Sequence, residues 1–225
     1  MFAANERVLV LTDFDGVLSD LIDDPTQSHI REGSRTALTA LLQQPFTDVG
    51  IVTGRTLADI MTVGRPPEGM LVVASHGLEF LNTNPYDDVY RPTEDESRAL
   101  SSLSNFLRPL AAIVPGAWLE FKPAGIAVHV RLCEPAAGRT LLTQVRELPE
   151  HIKDLTIRGG KDVLEFSVSN ATKGTALSFL GNFTQTKNIL FLGDDVTDED
   201  AFAALPPSGI GIKVGSGETL ATHRI

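Results

Sequence analysis

The sequence is poor in cysteine: Cys133 is the only one among 225 residues, so no internal disulfide can form. This usage is typical of a reducing compartment, and we expect the protein in the cytoplasm. No segment approaches the ~20 consecutive apolar residues that a membrane span needs. The first residues also lack the basic region of a signal peptide. We therefore expect no membrane partner.

Positive charge is also scarce, with 19 Lys and Arg against 29 Asp and Glu and a net charge of -10. This balance argues against a nucleic-acid backbone as the main partner. An anionic substrate would need local attraction from a metal ion or from a few placed cations. Because 42% of the residues are hydrophobic, the chain can bury a real core, as one large domain or two small ones.

Short apolar segments alternate with helical patterns near both ends of the chain, which predicts a doubly wound α/β core with a parallel sheet. The predicted strands are residues 8–11, 48–52, 70–74, 188–192 and 210–214, and the predicted helices are 33–43, 57–62, 172–179 and 201–205.

The middle of the chain follows a different pattern, with two helices and two pairs of antiparallel strands. The helices are predicted at 94–113 and 136–148, and the strands at 117–122, 126–132, 155–158 and 163–167. We therefore predict a Rossmann-like core domain of residues 1–82 and 169–225. A smaller α+β cap domain of residues 83–168 is inserted into it and is expected to fold over it.

Two carboxylates follow the first predicted strand, in Asp13-Phe14-Asp15-Gly16. Side chains two positions apart share one face of an extended chain, and at the carboxyl end of a parallel strand they project into the ligand crevice. Close carboxylates repel each other unless a cation lies between them, and Mg2+ prefers carboxylate and phosphate oxygens. The alternative is an ordinary turn, because Asp and Gly are both frequent in turns.

A second acidic cluster follows the predicted strand at 188–192. Five acidic residues occupy seven positions: Asp194, Asp195, Asp198, Glu199 and Asp200. One acidic residue at a helix N-terminus stabilises it, and the cluster could simply cap the next helix. Five exceed that need, which favours a metal site.

Two further segments could bind phosphate. The hydroxyl and backbone N–H groups of Thr53-Gly54-Arg55 suit phosphate if the segment begins a helix, although it could be a simple strand-to-helix turn. Lys173 lies in the first turn of a predicted helix, where a cation opposes the helix dipole, so it indicates an anionic partner or else a solvated lysine. Together with Asp13 as nucleophile and Asp15 as general acid and base, these groups could catalyse phosphoryl transfer.

The four segments resemble, in order, the motifs of the haloacid-dehalogenase phosphatase superfamily. More narrowly, Gly193-Asp-Asp-Val-Thr-Asp-Glu-Asp-Ala-Phe202 resembles the trehalose-6-phosphate phosphatase family. So do Glu120-Phe-Lys122, His129-Val-Arg131 and Gly160-Lys-Asp-Val-Leu-Glu165 in the predicted cap. The resemblance covers nearly the whole chain.

The resemblance implies a role for each matching position. The catalytic residues would be Asp13, Asp15, Thr53 and Lys173. Mg2+ would be held by Asp13, the backbone carbonyl of Asp15, Asp194 and Asp195, with Asp198 nearby. The substrate-binding residues would be Arg55, His76, Glu79, Glu120, Lys122, Arg131, Lys161 and Glu165. Each of the cap residues could instead be a solvated charge, and His76 a structural histidine.

The implied function is Mg2+-dependent hydrolysis of trehalose 6-phosphate through an aspartyl-phosphate, in trehalose biosynthesis. The expected partner is a small sugar phosphate, and the expected state is a monomer. The alternatives are a phosphatase of the same fold acting on sucrose phosphate, a glycosyl-glycerate phosphate or a mannose phosphate, a phospho-accepting signalling domain, and a non-catalytic sugar-phosphate sensor.

Overall fold

The computed structural model describes residues 6–22, 24–83, 90–149, 152 and 155–225. The chain divides into two compact units, Met1–Val89 with Ala171–Ile225, and Tyr90–Asn170. Residues 84–89, just after the domain boundary predicted at 82/83, lie outside the described residues. No helix in the described ranges is long and apolar enough to cross a membrane.

The first unit begins with an α/β alternation followed by a short antiparallel strand. Its elements are β1 (Val8–Thr12), α1 (Glu32–Leu42), β2 (Thr47–Val52), α2 (Leu57–Val63), β3 (Leu71–Ala74) and β4 (Glu79–Leu81). The strand β4 pairs antiparallel with β3 and was not predicted, because three residues are too few to show a period.

The second unit places two helices beside an antiparallel sheet. Its elements are α3 (Glu94–Ala112), β5 (Trp118–Lys122), β6 (Gly125–His129), α4 (Pro135–Arg146), β7 (Thr156–Gly160) and β8 (Val163–Ser167). The strand order is β5-β6-β8-β7, and all three pairings are antiparallel. The prediction that β6 continues to residue 132 is wrong, because residues 131 and 132 form a turn.

The chain then completes the first unit. Its last elements are α5 (Lys173–Phe183), β9 (Ile189–Gly193), α6 (Glu199–Ala203), β10 (Ile210–Lys213) and β11 (His223–Arg224). The helix α5 extends past the predicted end at 179. Gly181 lies inside it, where a Cβ atom would come within 3.0 Å of Ile189, so the glycine permits close packing rather than ending the helix.

The sheet of the first unit has the strand order β11-β10-β9-β1-β2-β3-β4, parallel except for β4. One hydrophobic cluster packs Leu9 and Leu11 of β1 against α5 and α6, and the other packs Val49 and Ile51 of β2 against α1 and α2. Helices therefore cover both faces, as predicted for a doubly wound α/β fold. Successive strands are added on one side of β1 as β2 and β3 and later on its other side as β9 and β10. Folds of this kind bind ligands at the point where the strand order changes side.

Candidate active site

The predicted catalytic segments of the first unit meet at one edge of its sheet. The strands β9, β1 and β2 are neighbours, and the acidic segment, the Asp13 segment and the Thr53 segment follow their carboxyl ends. Parallel pairing places these three ends side by side. The sheet topology thus assembles the site from segments that are far apart in sequence.

Asp13 and Lys173 form a buried ion pair at this edge. Asp13 Oδ1 accepts a hydrogen bond of 2.6 Å from the Phe14 backbone N–H, and Oδ2 lies 2.7 Å from Lys173 Nζ. Burial acts to raise the pKa of Asp13, whereas the charge of Lys173 acts to lower it. Burial also acts to lower the pKa of Lys173, but Asp13 and Asp198 outweigh it and hold that pKa above its ordinary value. The lysine is therefore a charged group in contact with the candidate nucleophile.

The Asp194 carboxylate lies beside this pair and can accept another ligand. Its Oδ1 atom is buried and accepts no hydrogen bond from the described residues. Burial, with the charges of Asp198 and Asp195, raises the pKa of Asp194 to about 6. Oxygens of Asp13, Asp194 and Asp198 all lie within 4.8 Å of one another. An unpartnered buried oxygen in an acidic cluster fits a hard cation such as Mg2+.

Glycine is required where the Asp13 segment passes the Asp194 carboxylate. The φ angle of Gly16 is +73°, and a Cβ atom at this position would overlap with the Asp194 carboxylate. Both observations favour glycine, since other residues rarely adopt this backbone conformation. Gly16 therefore allows the Asp13 segment to lie against the Asp194 carboxylate.

Asp198 holds the acidic segment together. Its Oδ1 atom lies 2.7 Å from Lys173 Nζ, and its Oδ2 atom accepts the backbone N–H groups of Asp194 at 2.8 Å and Asp195 at 3.0 Å. The side chain is fully buried. Asp195, predicted as a metal ligand, is exposed and lies outside the three-carboxylate cluster, which contains Asp198 instead.

Lys213 is a site residue that the sequence did not reveal. It ends β10 beside Gly193, is 4% exposed, and donates a hydrogen bond of 2.7 Å from Nζ to the backbone carbonyl of Asp194. Its Nζ atom also lies 3.5 Å from Glu199 Oε1. A lysine inside an otherwise apolar predicted strand was the available signal, because lysine is rarely buried without a partner.

Asp15 is bound by Arg55 through two hydrogen bonds. Arg55 Nε donates to Oδ2 at 2.7 Å and a terminal nitrogen donates to Oδ1 at 2.8 Å, while the guanidinium also contacts Asp59 at 2.7 Å. Burial acts to lower the pKa of Arg55, but the two carboxylates outweigh it and raise that pKa. Arg55, predicted to bind substrate, thus lies against the predicted general acid and fixes its orientation.

His76 and Glu79 support the Thr53 segment. Ser75 and His76 both have left-handed backbone conformations, and their N–H groups donate to the carbonyls of Arg55 at 2.7 Å and Thr53 at 3.0 Å. The His76 ring lies against Gly54, where a side chain would collide with it.

Glu79, predicted to bind substrate, is 8% exposed. It accepts the Ser75 hydroxyl at 2.6 Å and the Leu57 backbone N–H at 3.0 Å. The structure thus places His76 and Glu79 where they stabilise the loop that carries Thr53, itself buried.

Three predicted substrate-binding residues share one face of the sheet in the second unit. Leu119 of β5 and Leu164 of β8 pack in the core, so Glu120, Lys122 and Glu165 project from the opposite face. Lys122 Nζ lies 2.7 Å from Glu165 Oε2. Their charges are therefore brought together, as recognition of a polyhydroxylated ligand would need.

Arg131 and Lys161 lie in turns rather than strands. Arg131 follows the end of β6, and Lys161 lies in the turn between β7 and β8. Both are exposed.

The fold of the chain is similar to that of haloacid dehalogenase-like hydrolases. A haloacid dehalogenase-like hydrolase from Bacteroides thetaiotaomicron is similar in fold, with a TM-score of 0.68 at 12% identity over 97% of this chain and 94% of that one. At this identity the likeness concerns the fold alone. Asp13 and Lys173, both buried, lie with the half-buried Asp194 at the carboxyl ends of the parallel strands.

The chain belongs to the trehalose-phosphatase family, whose model matches residues 11–224. It is 32% identical to a trehalose-phosphate phosphatase of Mycobacterium ulcerans over 94% of this chain and 55% of that protein. A solved structure of a trehalose-6-phosphate phosphatase related protein matches 96% of this chain and 91% of that one, with a TM-score of 0.74 at 26% identity. The chain spans between 17% and 55% of the length of several curated relatives that it matches.

Proposed function

We propose that the protein hydrolyses trehalose 6-phosphate to trehalose and phosphate, as a step of trehalose biosynthesis. Membership in the trehalose-phosphatase family supports this substrate. The observation that carries the chemistry is the buried Asp13–Lys173 pair beside the unpartnered Asp194 oxygen. It provides a nucleophile, a fixed cation and an acceptor for a metal ion in one place.

In the first step, an oxygen of Asp13 attacks phosphorus and forms an aspartyl-phosphate while the bond from phosphorus to the sugar oxygen breaks. Lys173, at 2.7 Å from Asp13, stabilises negative charge on the phosphoryl group. The hydroxyl of Thr53 binds a phosphoryl oxygen. Asp15 gives a proton to the departing sugar oxygen, with its orientation set by Arg55.

In the second step, Asp15 takes a proton from water, and the water oxygen attacks phosphorus. The bond between phosphorus and Asp13 breaks, which releases phosphate and restores the carboxylate. Mg2+, held by Asp13, Asp194 and the backbone carbonyl of Asp15, would neutralise charge on the phosphoryl oxygens. Asp198 and Lys213 keep the backbone of the acidic segment in place through their hydrogen bonds.

We assign sugar recognition to the second unit, as the inserted cap domain. Glu120, Lys122 and Glu165 supply acceptors and a donor on one face of its sheet, and sugar hydroxyls can bind both. Lys161 and Arg131 add donors from turns. A monomer in the cytoplasm, without nucleic acid or membrane as partner, remains our prediction.

The experiment is phosphate release with Mg2+ across a panel of trehalose, sucrose, mannose and glycosyl-glycerate phosphates. The Asp13→Asn variant keeps the size of the side chain but is a poor nucleophile, and the Asp200→Asn variant makes the same exchange at an exposed residue. We expect preference for trehalose 6-phosphate, activity lost in Asp13→Asn and kept in Asp200→Asn.

Each other outcome points to a different function. Activity spread evenly over the panel would contradict the substrate but not the chemistry. Tight binding of one sugar phosphate without release of phosphate would indicate a sensor. A long-lived phosphoprotein after treatment with a small phosphodonor would indicate a signalling domain.

A further inference from the structure

An aromatic pair lies on the same face of the second sheet as the proposed sugar-binding charges. Trp118 begins β5 and lies directly opposite His129 at the end of β6. Leu119 and Val128 pack in the core, so Trp118 and His129 both project from the other face, with Glu120 and Lys122. Among the described residues, the hydrophobic cluster of this unit includes neither ring.

The two rings are stacked and fixed. Their centroids are 4.6 Å apart and their planes differ by 4°. His129 Nε2 lies 2.8 Å from Glu120 Oε2, so the carboxylate holds the imidazole that supports the indole. A pair held in this way presents a rigid aromatic surface beside a charged hydrogen-bonding group.

The position of the pair within the sheet places it among the charges assigned to sugar recognition. Across the sheet, His129 of β6 pairs with Val163 of β8, and Val163 pairs with Gly160 of β7. Lys161 is the residue after Gly160. Two residues along the strands, Ala127 of β6 pairs with Glu120 of β5 on one side and with Glu165 of β8 on the other. A small side chain there leaves room between the two carboxylates.

We propose that Trp118, supported by His129, is the surface on which a pyranose ring of the substrate packs, so that it determines specificity for the disaccharide. The C–H groups on one face of a glucose ring form an apolar surface that packs on an aromatic ring, while the hydroxyls at its rim reach hydrogen-bonding groups. Trp118 supplies the first contact, and Glu120 with Lys122 supplies the second. The inference rests on the proposed function and names a further residue for it.

Trp118 reports directly on its own contact, because it is the only tryptophan of the chain. The test titrates trehalose 6-phosphate into the Asp13→Asn variant and follows tryptophan emission, with mannitol as the solution control. We expect a saturable change of emission whose midpoint agrees with the dissociation constant from calorimetry.

Kinetics supply the second measurement. We expect Trp118→Ala to raise KM for trehalose 6-phosphate about tenfold with a smaller change of kcat, the size expected for one aromatic contact. His129→Gln, which removes the stacked ring but keeps an amide near Glu120, should cause a smaller rise. Phe121→Ala is the control, since Phe121 lies on the same strand but on the helix-covered face, where Arg108 packs on it. It should leave KM unchanged.

Two results would overturn the inference, and they are distinguishable. If calorimetry detects binding but tryptophan emission and the KM of Trp118→Ala are unchanged, the aromatic surface does not contact the sugar and the proposed function stands. If the wild-type chain releases no phosphate from trehalose 6-phosphate, the proposed function fails and this inference fails with it.

Discussion

Replacement of Asp198 by Asn tests whether one buried carboxylate organises the active site. The side chain accepts three hydrogen bonds, from Lys173 Nζ and from the backbone N–H groups of Asp194 and Asp195. An amide can accept on one side only. Its NH2 group must then face either the lysine or the two backbone N–H groups, all of which are donors.

The size of the effect follows from what is lost. Where the asparagine NH2 group replaces a carboxylate oxygen, a charge-assisted hydrogen bond worth about 1.5–3 kcal/mol is lost. The buried NH2 group then faces another hydrogen-bond donor. Lys173 keeps Asp13 at 2.7 Å, which limits the loss. Asparagine also removes a charge that repels Asp13 and Asp194. At about pH 5 the Asp194 carboxyl holds its proton, since its pKa is about 6, and Lys173 balances the charge of Asp13, so the repulsion is small. We therefore expect a net destabilisation of about 3 kcal/mol at about pH 5.

The assay is urea unfolding in chelator at about pH 5, compared between wild type, Asp198→Asn and Asp200→Asn. Asp200 is exposed, so its variant should stay within about 0.5 kcal/mol of wild type. Phosphatase activity with Mg2+ should fall strongly in Asp198→Asn, because Lys173 and the Asp194 backbone lose a shared anchor. If Asp198→Asn is as stable as wild type at this pH, its three contacts contribute nothing and the argument is refuted.

Three further predictions concern the same edge of the sheet. Lys213→Met, which keeps the length of the side chain but removes its hydrogen bond to the Asp194 carbonyl, should raise the Mg2+ concentration for half-maximal activity about tenfold, and calorimetric Mg2+ titration should show the same weakening. Gly16→Ala should abolish Mg2+ binding, since the methyl group would overlap with the Asp194 carboxylate, and normal Mg2+ binding would contradict this reading. The φ of +73° should also lower the free energy of unfolding in urea by about 1–2 kcal/mol. In chelator, the free energy of unfolding should fall as pH rises from about 4 to about 6, because the folded state keeps the Asp194 proton to higher pH than the unfolded state does. Mg2+ affinity should increase over the same interval, and a flat profile of unfolding midpoints against pH would count against this prediction.

The sequence allowed the parallel core to be predicted because its strands are continuous apolar segments buried on both faces. The predicted strands and helices also allowed Asp13, Thr53 and Lys173 to be placed together, because each of these residues lies at the end of a strand or the start of a helix. The family resemblance supplied the substrate, which no local pattern contains.

The details of the acidic segment could not be predicted. Spacing alone does not distinguish Asp195 from Asp198, and the short helical turn Val196–Asp198 directs only the latter inward. Lys213 was missed because its role depends on the pairing of β10 with β9, which is a long-range contact. The family resemblance implied that Glu79 binds substrate. Burial of Glu79 as the acceptor of the Ser75 hydroxyl and the Leu57 N–H could not be predicted, because it depends on the loop conformation.

The position of β1 between β2 and β9 has a consequence for synthesis on the ribosome. Leu9 pairs with Asp48 soon after both emerge, but its other neighbour, Ile189, is made only after the entire second unit. Until then one edge of β1 has unpaired backbone groups, which in general favour association between chains. The second unit, Tyr90–Asn170, is contiguous and can fold in the meantime. We therefore expect the nascent chain to be most prone to aggregation just before residues 189–193 emerge.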